Sequence, residues 1–298
     1  MPGEVADPLA PAETGGVTRI AREVWRIVAP NPGPLTGPGT NTYVVGGRRR
    51  LVIDPGPADA SHLDRILELT GGSVDRVVCT HSHTDHSPGA AQLAARAGAI
   101  VLGMPAPVVD DYQDRSYRPA QVLQDGARIV GEDFVLTALH TPGHASNHLC
   151  LLLEAGGLLF TGDHLMSGST VVILPPDGSM RQYLDSLRRL RELPLRDLAP
   201  GHGAVMRGAV AEIDRVIAHR LAREARVIDA FQVLESASLE QLLPVVYADV
   251  PVAMHPVARY SLLAHVLKLE EEGRVSRDGD AWRWSARRGS PASLPGSS

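Results

Sequence analysis

The stretch THSHTDHSPG, residues 80–89, places His81, His83, Asp85 and His86 within six consecutive positions. Imidazole nitrogens and a carboxylate crowded together are the donors a divalent cation takes, although a single His-x-His also fits a solvated polar turn. The flanking sequence supplies context. VDRVVCT before it reads as a short buried strand, and PGAAQLAARAG after it reads as a helix opened by Pro88. The four side chains therefore sit on a turn at the C-terminal end of a strand.

Further outward, residues 17–54 carry strand-like runs, VTRIAREVWRIVAP, NTYVVGG and RRRLVIDPG, around the Pro/Gly-rich connection NPGPLTGPGT. DASHLDRILELT spaces Leu63, Ile66 and Leu67 along one helical face. More strands are predicted at AIVLG, ARIV, DFVLTALHT, NHLCLLLEAGG and GLLFTGD, with a helix at MRQYLDSLRRLREL. Strands alternating with helices predict a layered α/β domain. From about Gly208 the pattern turns helical, through AVAEIDRVIAHRLAREARVIDAFQ, SLEQLLPVVYA and HPVARYSLLAHVLKLEEEG. RVSRDGDAWRW then reads as a two-stranded hairpin about Asp-Gly-Asp, so residues 208–286 have the pattern of a winged helix. Residues 1–16 and 287–298 read as disordered ends.

A chain of 298 residues with 44% hydrophobic content can bury a large core. The opening MPGEVADPLAPAETGG has no basic start and no apolar core of a secretory signal, and no later segment has the length of a membrane span. A cytoplasmic protein that makes no membrane contact is expected. Cys79 and Cys150 lie in apolar strand-like runs and are read as core thiols, not as a disulfide or a metal pair. The formal net charge of -5 and pI of about 6.2 provide no overall basic field for nucleic acid. Lys268 is the only lysine.

Three further donors fall where later strands should end: His144 in TPGHASNH, Asp163 in FTGDH and His202 in APGHG, each near a glycine. Seven donors are enough for two cations sharing one carboxylate. That arrangement suits hydrolysis, because two cations hold a bridging hydroxide near neutral pH and neutralise charge on the substrate oxygen. The ordered set HSHTDH, TPGH, GD and PGHG resembles the metallo-β-lactamase superfamily over residues 17–207. The resemblance implies a four-layer αββα sandwich. It also implies His81, His83 and His144 on a first metal, Asp85, His86 and His202 on a second, and Asp163 between them. Two Zn2+ per chain are expected, with Mn2+ or Fe able to substitute. Asp85 is expected to orient the nucleophile or accept its proton.

Within that superfamily, NPGPLTGPGTNTYVVG, STVVILPPDGSMRQYLDSLRRL and LLAHVLKLEEEGRV resemble the β-lactamase-like branch that carries a C-terminal winged helix. Animal mitochondrial members of that branch are single-strand endoribonucleases, and fungal members are thioesterases for carrier-bound polyketides. The resemblance therefore implies a phosphodiester in single-stranded RNA as substrate, with a thioester, small acyl ester or lactone as the alternative. Lactam hydrolysis is expected only as a side reaction. A nuclease with a large inserted domain is excluded by spacing, since 18 residues separate His144 from Asp163 and 38 separate Asp163 from His202. A flavin-linked oxygen reductase would need a flavodoxin-like domain that the sequence lacks.

Asn41, in GPGTNTY, is placed by the resemblance beside the site, as a group that hydrogen-bonds substrate or the residues behind the ligands, or as a turn residue bonding its own backbone. His164 is read as a pocket residue, not a ligand, and His140 as packing behind His144, four residues along the same strand. His62, His219, His255 and His265 fall on predicted helices as surface or interhelical residues. Residues 209–286 hold nine Arg and Lys against twelve Asp and Glu, which argues against a DNA-binding regulator. Their expected role is to cover the rim of the site or to form a homodimer contact.

Overall fold

Apolar side chains alternate between two faces of the early strands, Val24, Tyr43, Leu51 and Ile53 on one, Ile27, Val44 and Val52 on the other. Such strands need cover on both sides. The computed structural model, which describes residues 13–109 and 111–285, meets that need with stacked layers in its first compact unit, Met1–His219.

Seven strands run in spatial order β1 (Val17–Ala21), β2 (Val24–Val28), β3 (Asn41–Val45), β4 (Arg50–Ile53), β5 (Val74–Val78), β6 (Ile100–Gly103) and β7 (Gln121–Val122). The first four are antiparallel and the last four parallel. A second sheet holds β8 (Arg128–Val130), β9 (Val135–His140), β10 (Leu149–Leu153), β11 (Leu158–Gly162), β12 (Asp197–Pro200) and β13 (Met206–Arg207). Leu136, Ala138, Leu149, Leu151 and Phe160 from this sheet interdigitate with the inner face of the first. Each such fully buried Leu or Phe contributes about 1.5–3 kcal/mol, so this layer contributes heavily to stability.

Helices α1 (Ala60–Thr70) and α2 (Gly89–Ala97) cover the first sheet through Leu63, Ile66 and Leu93. Asp59 caps α1 by accepting from the His62 N–H at 2.8 Å, and Gly71 ends it in a left-handed turn. Helix α3 (Met180–Arg191) buries Leu184, Leu187 and Leu190, and its Ser186 Oγ donates to Pro142 O at 2.8 Å, over the second sheet. Its approach depends on Gly143 (φ +147°), where a Cβ would meet Tyr183 Cα at 2.4 Å. The expected αββα sandwich is thus present.

Several expectations change in detail. VTRIAREVWRIVAP is a hairpin broken at Glu23, whose φ is +53°. Gly15 and Gly16, expected in a disordered leader, bond to Val28: Gly15 N–H donates to Val28 O and Val28 N–H to Gly16 O. Residues 1–12 and 286–298, covering the rest of both expected disordered ends, lie outside the described residues.

Helix α4 (Ala209–Leu234) runs through the division between the units at His219 and Arg220. Its first half belongs to the first unit, where Ile213 and Val216 are buried and Asp214 Oδ1 pairs with Arg191 Nε at 2.7 Å. The second unit, Arg220–Ser298, adds β14 (Ser236–Ser238), α5 (Leu239–Val246), α6 (His255–Glu271), β15 (Val275–Asp278) and β16 (Ala281–Trp284). The predicted hairpin gains a third strand, in order β14-β16-β15. Phe231, Leu242, Leu262, Val266 and Trp282 form its core. Within it Lys268 Nζ donates to Glu224 Oε1 at 2.8 Å and to Glu272 Oε1 at 2.7 Å. Among the described residues no helix is long and apolar enough to cross a membrane.

Candidate metal centre

Because β4, β5 and β6 are parallel, their C-terminal ends lie on one side; the same holds for β9, β11 and β12. The turn after β5 carries His81, His83, Asp85 and His86; the loop after β9 carries His144; Asp163 follows β11 and His202 follows β12. All seven sequence-predicted ligands converge as two groups, His81, His83 and His144 in one, Asp85, His86, Asp163 and His202 in the other. Within each group the donor atoms lie within 4.8 Å of one another.

The groups share a carboxylate. Asp163 Oδ1 lies 3.3 Å from His86 Nε2 and 3.4 Å from His202 Nε2, while its Oδ2 lies 3.7 Å from His144 Nε2. Asp85 Oδ2 is 3.2 Å from His202 Nε2 and 3.6 Å from His86 Nε2. Gly201 allows this closeness, since a Cβ there would meet Asp163 Oδ1 at 2.6 Å and His86 Cε1 at 2.8 Å.

Four rings are aimed by partners at their outer nitrogens. His86 Nδ1 donates to Asp54 Oδ2 at 2.9 Å, His144 Nδ1 to Val172 O at 2.8 Å and His202 Nδ1 to Gly39 O at 3.2 Å; His81 Nδ1 lies 3.0 Å from Thr80 Oγ1. Of the inward atoms, His144 Nε2 lies 3.1 Å from His83 Nδ1, whereas others are left open. His81 Nε2, His86 Nε2 and Asp163 Oδ1 are buried without a hydrogen-bond partner among the described residues. Buried polar atoms are ordinarily paired, and imidazole and carboxylate donors left open toward one another fit divalent cations.

Burial disfavours charge on the rings of the first group. His83 is pushed down to about 3, by burial first and by neighbouring His144 next, and burial holds His81 well below the ordinary imidazole value. In the second group burial acts the same way but is outweighed. Asp85, Asp163 and Asp54 hold His86 well above its ordinary value, and Asp163 and Asp85 raise His202 to about 10. In the metal-free protein at neutral pH, protons on His86 and His202 thus stand where a cation would. Filling the second group should release about two protons per ion, whereas His81 and His83 have none to give. Its affinity should therefore fall on acidification between about pH 8 and 5, and more steeply than that of the first group, where His81 and His83 have no proton to displace. Calorimetric titration in buffers of differing ionisation heat measures this, and uptake of two ions without proton release would contradict the assignment.

Asp54 is a positioning residue the sequence reading passed over. It is buried at the end of β4, with φ +49°, accepts from Thr80 N–H at 2.7 Å and Thr80 Oγ1 at 2.8 Å, and holds His86. Asn41 is placed differently from the expectation of a substrate contact. Fully buried, it donates through Nδ2 to Pro200 O and Gly203 O, both at 2.9 Å, and so braces the His202 loop. Arg26 Nη1 donates to the same Gly203 O at 3.3 Å. His164, expected in the pocket, is fully buried in the turn after β11, its ring 4.7 Å from that of Tyr183 on α3. His140 bonds Ser146 O through Nε2, which supports the His144 loop. His62 is buried rather than on the surface, 2.8 Å from Thr42 Oγ1. Cys79 and Cys150 are buried free thiols, as expected.

Two donor groups sharing a carboxylate, at one edge of an αββα sandwich, define the class: a metal-binding hydrolase. The family model described as Metallo-beta-lactamase superfamily matches residues 35–202, and Beta-lactamase associated winged helix domain matches residues 238–284. The chain belongs to the metallo-β-lactamase superfamily. It is 31% identical over 282 residues to a Beta-lactamase-like protein 2 homolog of Drosophila melanogaster, covering 89% of this chain and 94% of that one. An atrochrysone carboxyl ACP thioesterase of Passalora fulva is 32% identical over 225 residues, 73% of this chain and 64% of that one. A solved beta-lactamase domain protein from Burkholderia ambifaria superposes with a TM-score of 0.76 at 20% identity, over 91% of this chain and 94% of that one.

Proposed function

We propose that this chain is a dinuclear metal-dependent hydrolase of acyl thioesters or small acyl esters. His81, His83 and His144 hold one ion, Asp85, His86 and His202 the other, and Asp163 both. The imidazole-rich donor set favours Zn2+, and Fe or Mn2+ are compatible with it. Divalent ions held there would acidify a water to near neutrality and polarise the acyl oxygen.

The observation that carries the substrate class is charge. The segments that bear or hydrogen-bond the ligands, residues 30–39, 54–56, 79–88, 104–114, 142–148, 161–178 and 201–204, contain no Arg or Lys. They do present exposed apolar side chains, Leu35, Val108, Val109 and Tyr112. A single-stranded RNA site needs cations along the backbone path and aromatic faces for bases, whereas an acyl chain needs apolar surface. The phosphodiester reading therefore ranks second. The thioesterase name of the Passalora fulva relative agrees with the acyl reading.

In hydrolysis the water oxygen bonds the acyl carbon, the carbon–sulfur bond breaks and the proton passes to the leaving thiolate. Asp85 is partly open, with its side chain 28% exposed, and its Oδ2 is spent on His202 and His86. Its Oδ1 takes the proton from the attacking water and returns it to the leaving group. The test is to assay metal-loaded protein against an acyl thioester, a single-stranded RNA and a chromogenic lactam, with and without chelator. Chelator-sensitive thioester turnover well above the other two is expected; RNA cleavage without thioester turnover would overturn the acyl reading.

A further inference from the structure

The shared carboxylate of Asp163 must be held steady, yet its Oδ1 faces only other candidate ligands, His86 Nε2 at 3.3 Å and His202 Nε2 at 3.4 Å, and makes no well-formed hydrogen bond among the described residues. What fixes it is the backbone. At the end of β11 the pairing with β12 slips, Phe160 facing Ala199 but Gly162 facing Pro200, so the ladder ends before Asp163. The Asp163 N–H donates instead to His148 Nε2 at 3.2 Å. His148 is fully buried, and an acceptor at Nε2 requires its proton on Nδ1, which lies 3.0 Å from Thr141 Oγ1. The Thr141 hydroxyl then donates to Cys150 Sγ at 3.3 Å, and that thiol to Thr161 O at 3.7 Å. The chain closes on the strand that leads into Asp163.

Gly162 gives independent support. Its φ is +45°, and a Cβ on it would stand 2.7 Å from His148 Nε2 and 2.6 Å from Thr80 Oγ1. Only a glycine lets the imidazole reach past it to the next peptide N–H. We propose that His148 is the positioning residue of the shared ligand: through the Asp163 N–H, and locked by Thr141 and Cys150, it sets the carboxylate across both donor groups. The inference rests on the reading of Asp163 as a ligand to both ions.

The consequence falls unequally on the two sites. The first group is a set of three histidines, whereas Asp163 is itself a member of the second, its Oδ1 3.3 Å from His86 Nε2 and 3.4 Å from His202 Nε2 against 3.7 Å from its Oδ2 to His144 Nε2, so a displaced carboxylate weakens the second group most. In His148→Leu the Asp163 N–H loses its acceptor, and second-site affinity should fall by about 10- to 100-fold with the first site unchanged. His148→Gln puts an amide oxygen where Nε2 was and should recover most of the loss. The measurement is stepwise metal affinity by chelator competition, with electron spin coupling between two Co2+ ions as a second readout and circular dichroism as the check on folding. General loosening would weaken both sites together and would not be rescued by Gln. Unchanged second-site affinity and coupling in folded His148→Leu, or equal loss in His148→Gln, overturns the proposal. If His148→Leu does not fold, Thr141→Val decides: a several-fold weaker second site is expected, and an unchanged one overturns the proposal. Wild-type protein binding fewer than two ions would overturn the dinuclear reading itself, and the inference with it, which separates the two failures.

Discussion

Asp163→Ala should reduce turnover by roughly a thousandfold or more, because the several kcal/mol that a paired metal centre contributes to the transition state depend on both ions keeping their spacing. Asp163 faces His86 and His202 with one oxygen and His144 with the other, and Ala has neither. The protein should still fold, since the substitution removes a carboxylate from the end of a strand and leaves the interior layers intact. Metal content should drop toward one ion per chain, the three-histidine group being complete without it. Near-normal turnover with two ions retained would remove Asp163 from the shared position.

The second large effect is expected at Asp54. In Asp54→Asn the shape survives, but an amide nitrogen replaces one of the oxygens that accept from His86 Nδ1, Thr80 Oγ1 and Thr80 N–H. Two donors would then face each other in the interior, at a cost of about 2–4 kcal/mol. His86 would lose the bond that points Nε2 at Asp163, and second-site affinity should fall about 10- to 100-fold. Thermal unfolding of the metal-free protein separates the first cost from the second, which is read by metal titration. A variant with wild-type melting and wild-type metal affinity would show that Asp54 is not a support of the site.

The contrast between Asp163 and Asp54 shows what a linear sequence exposes. Asp163, His144 and His202 were legible because each sits by a glycine at a strand end, and Gly143, Gly162 and Gly201 are there to admit close neighbours. Asp54 lies in IDPG, which looks the same as any turn. Its role exists only because Ile53 pairs with Val78 across the crossover through α1, bringing β4 beside the strand that carries the histidines. His148 was visible in TPGHASNH but not its use, since that depends on the slip between β11 and β12. Asn41 was brought to the site by the resemblance and His164 by its place next to Asp163, while packing turned both inward. The β14 strand, Ser-Ala-Ser, has no apolar alternation and forms only because β16 offers an edge. The αββα layering was accessible from the motif order, and the substrate was not, because loop surface charge and shape are properties of the assembled fold.

Lys268 has a practical consequence. It is the only lysine in the chain, and its ammonium is enclosed between Glu224 and Glu272 on the packed face of α6. Reagents and enzymes that act on side-chain amines therefore find no ready target on the folded protein. They reach one only when the α4–α6 pair parts, so the rate of amine labelling becomes a clock for that opening. A single mass shift on one peptide would report it, against a background free of other lysines.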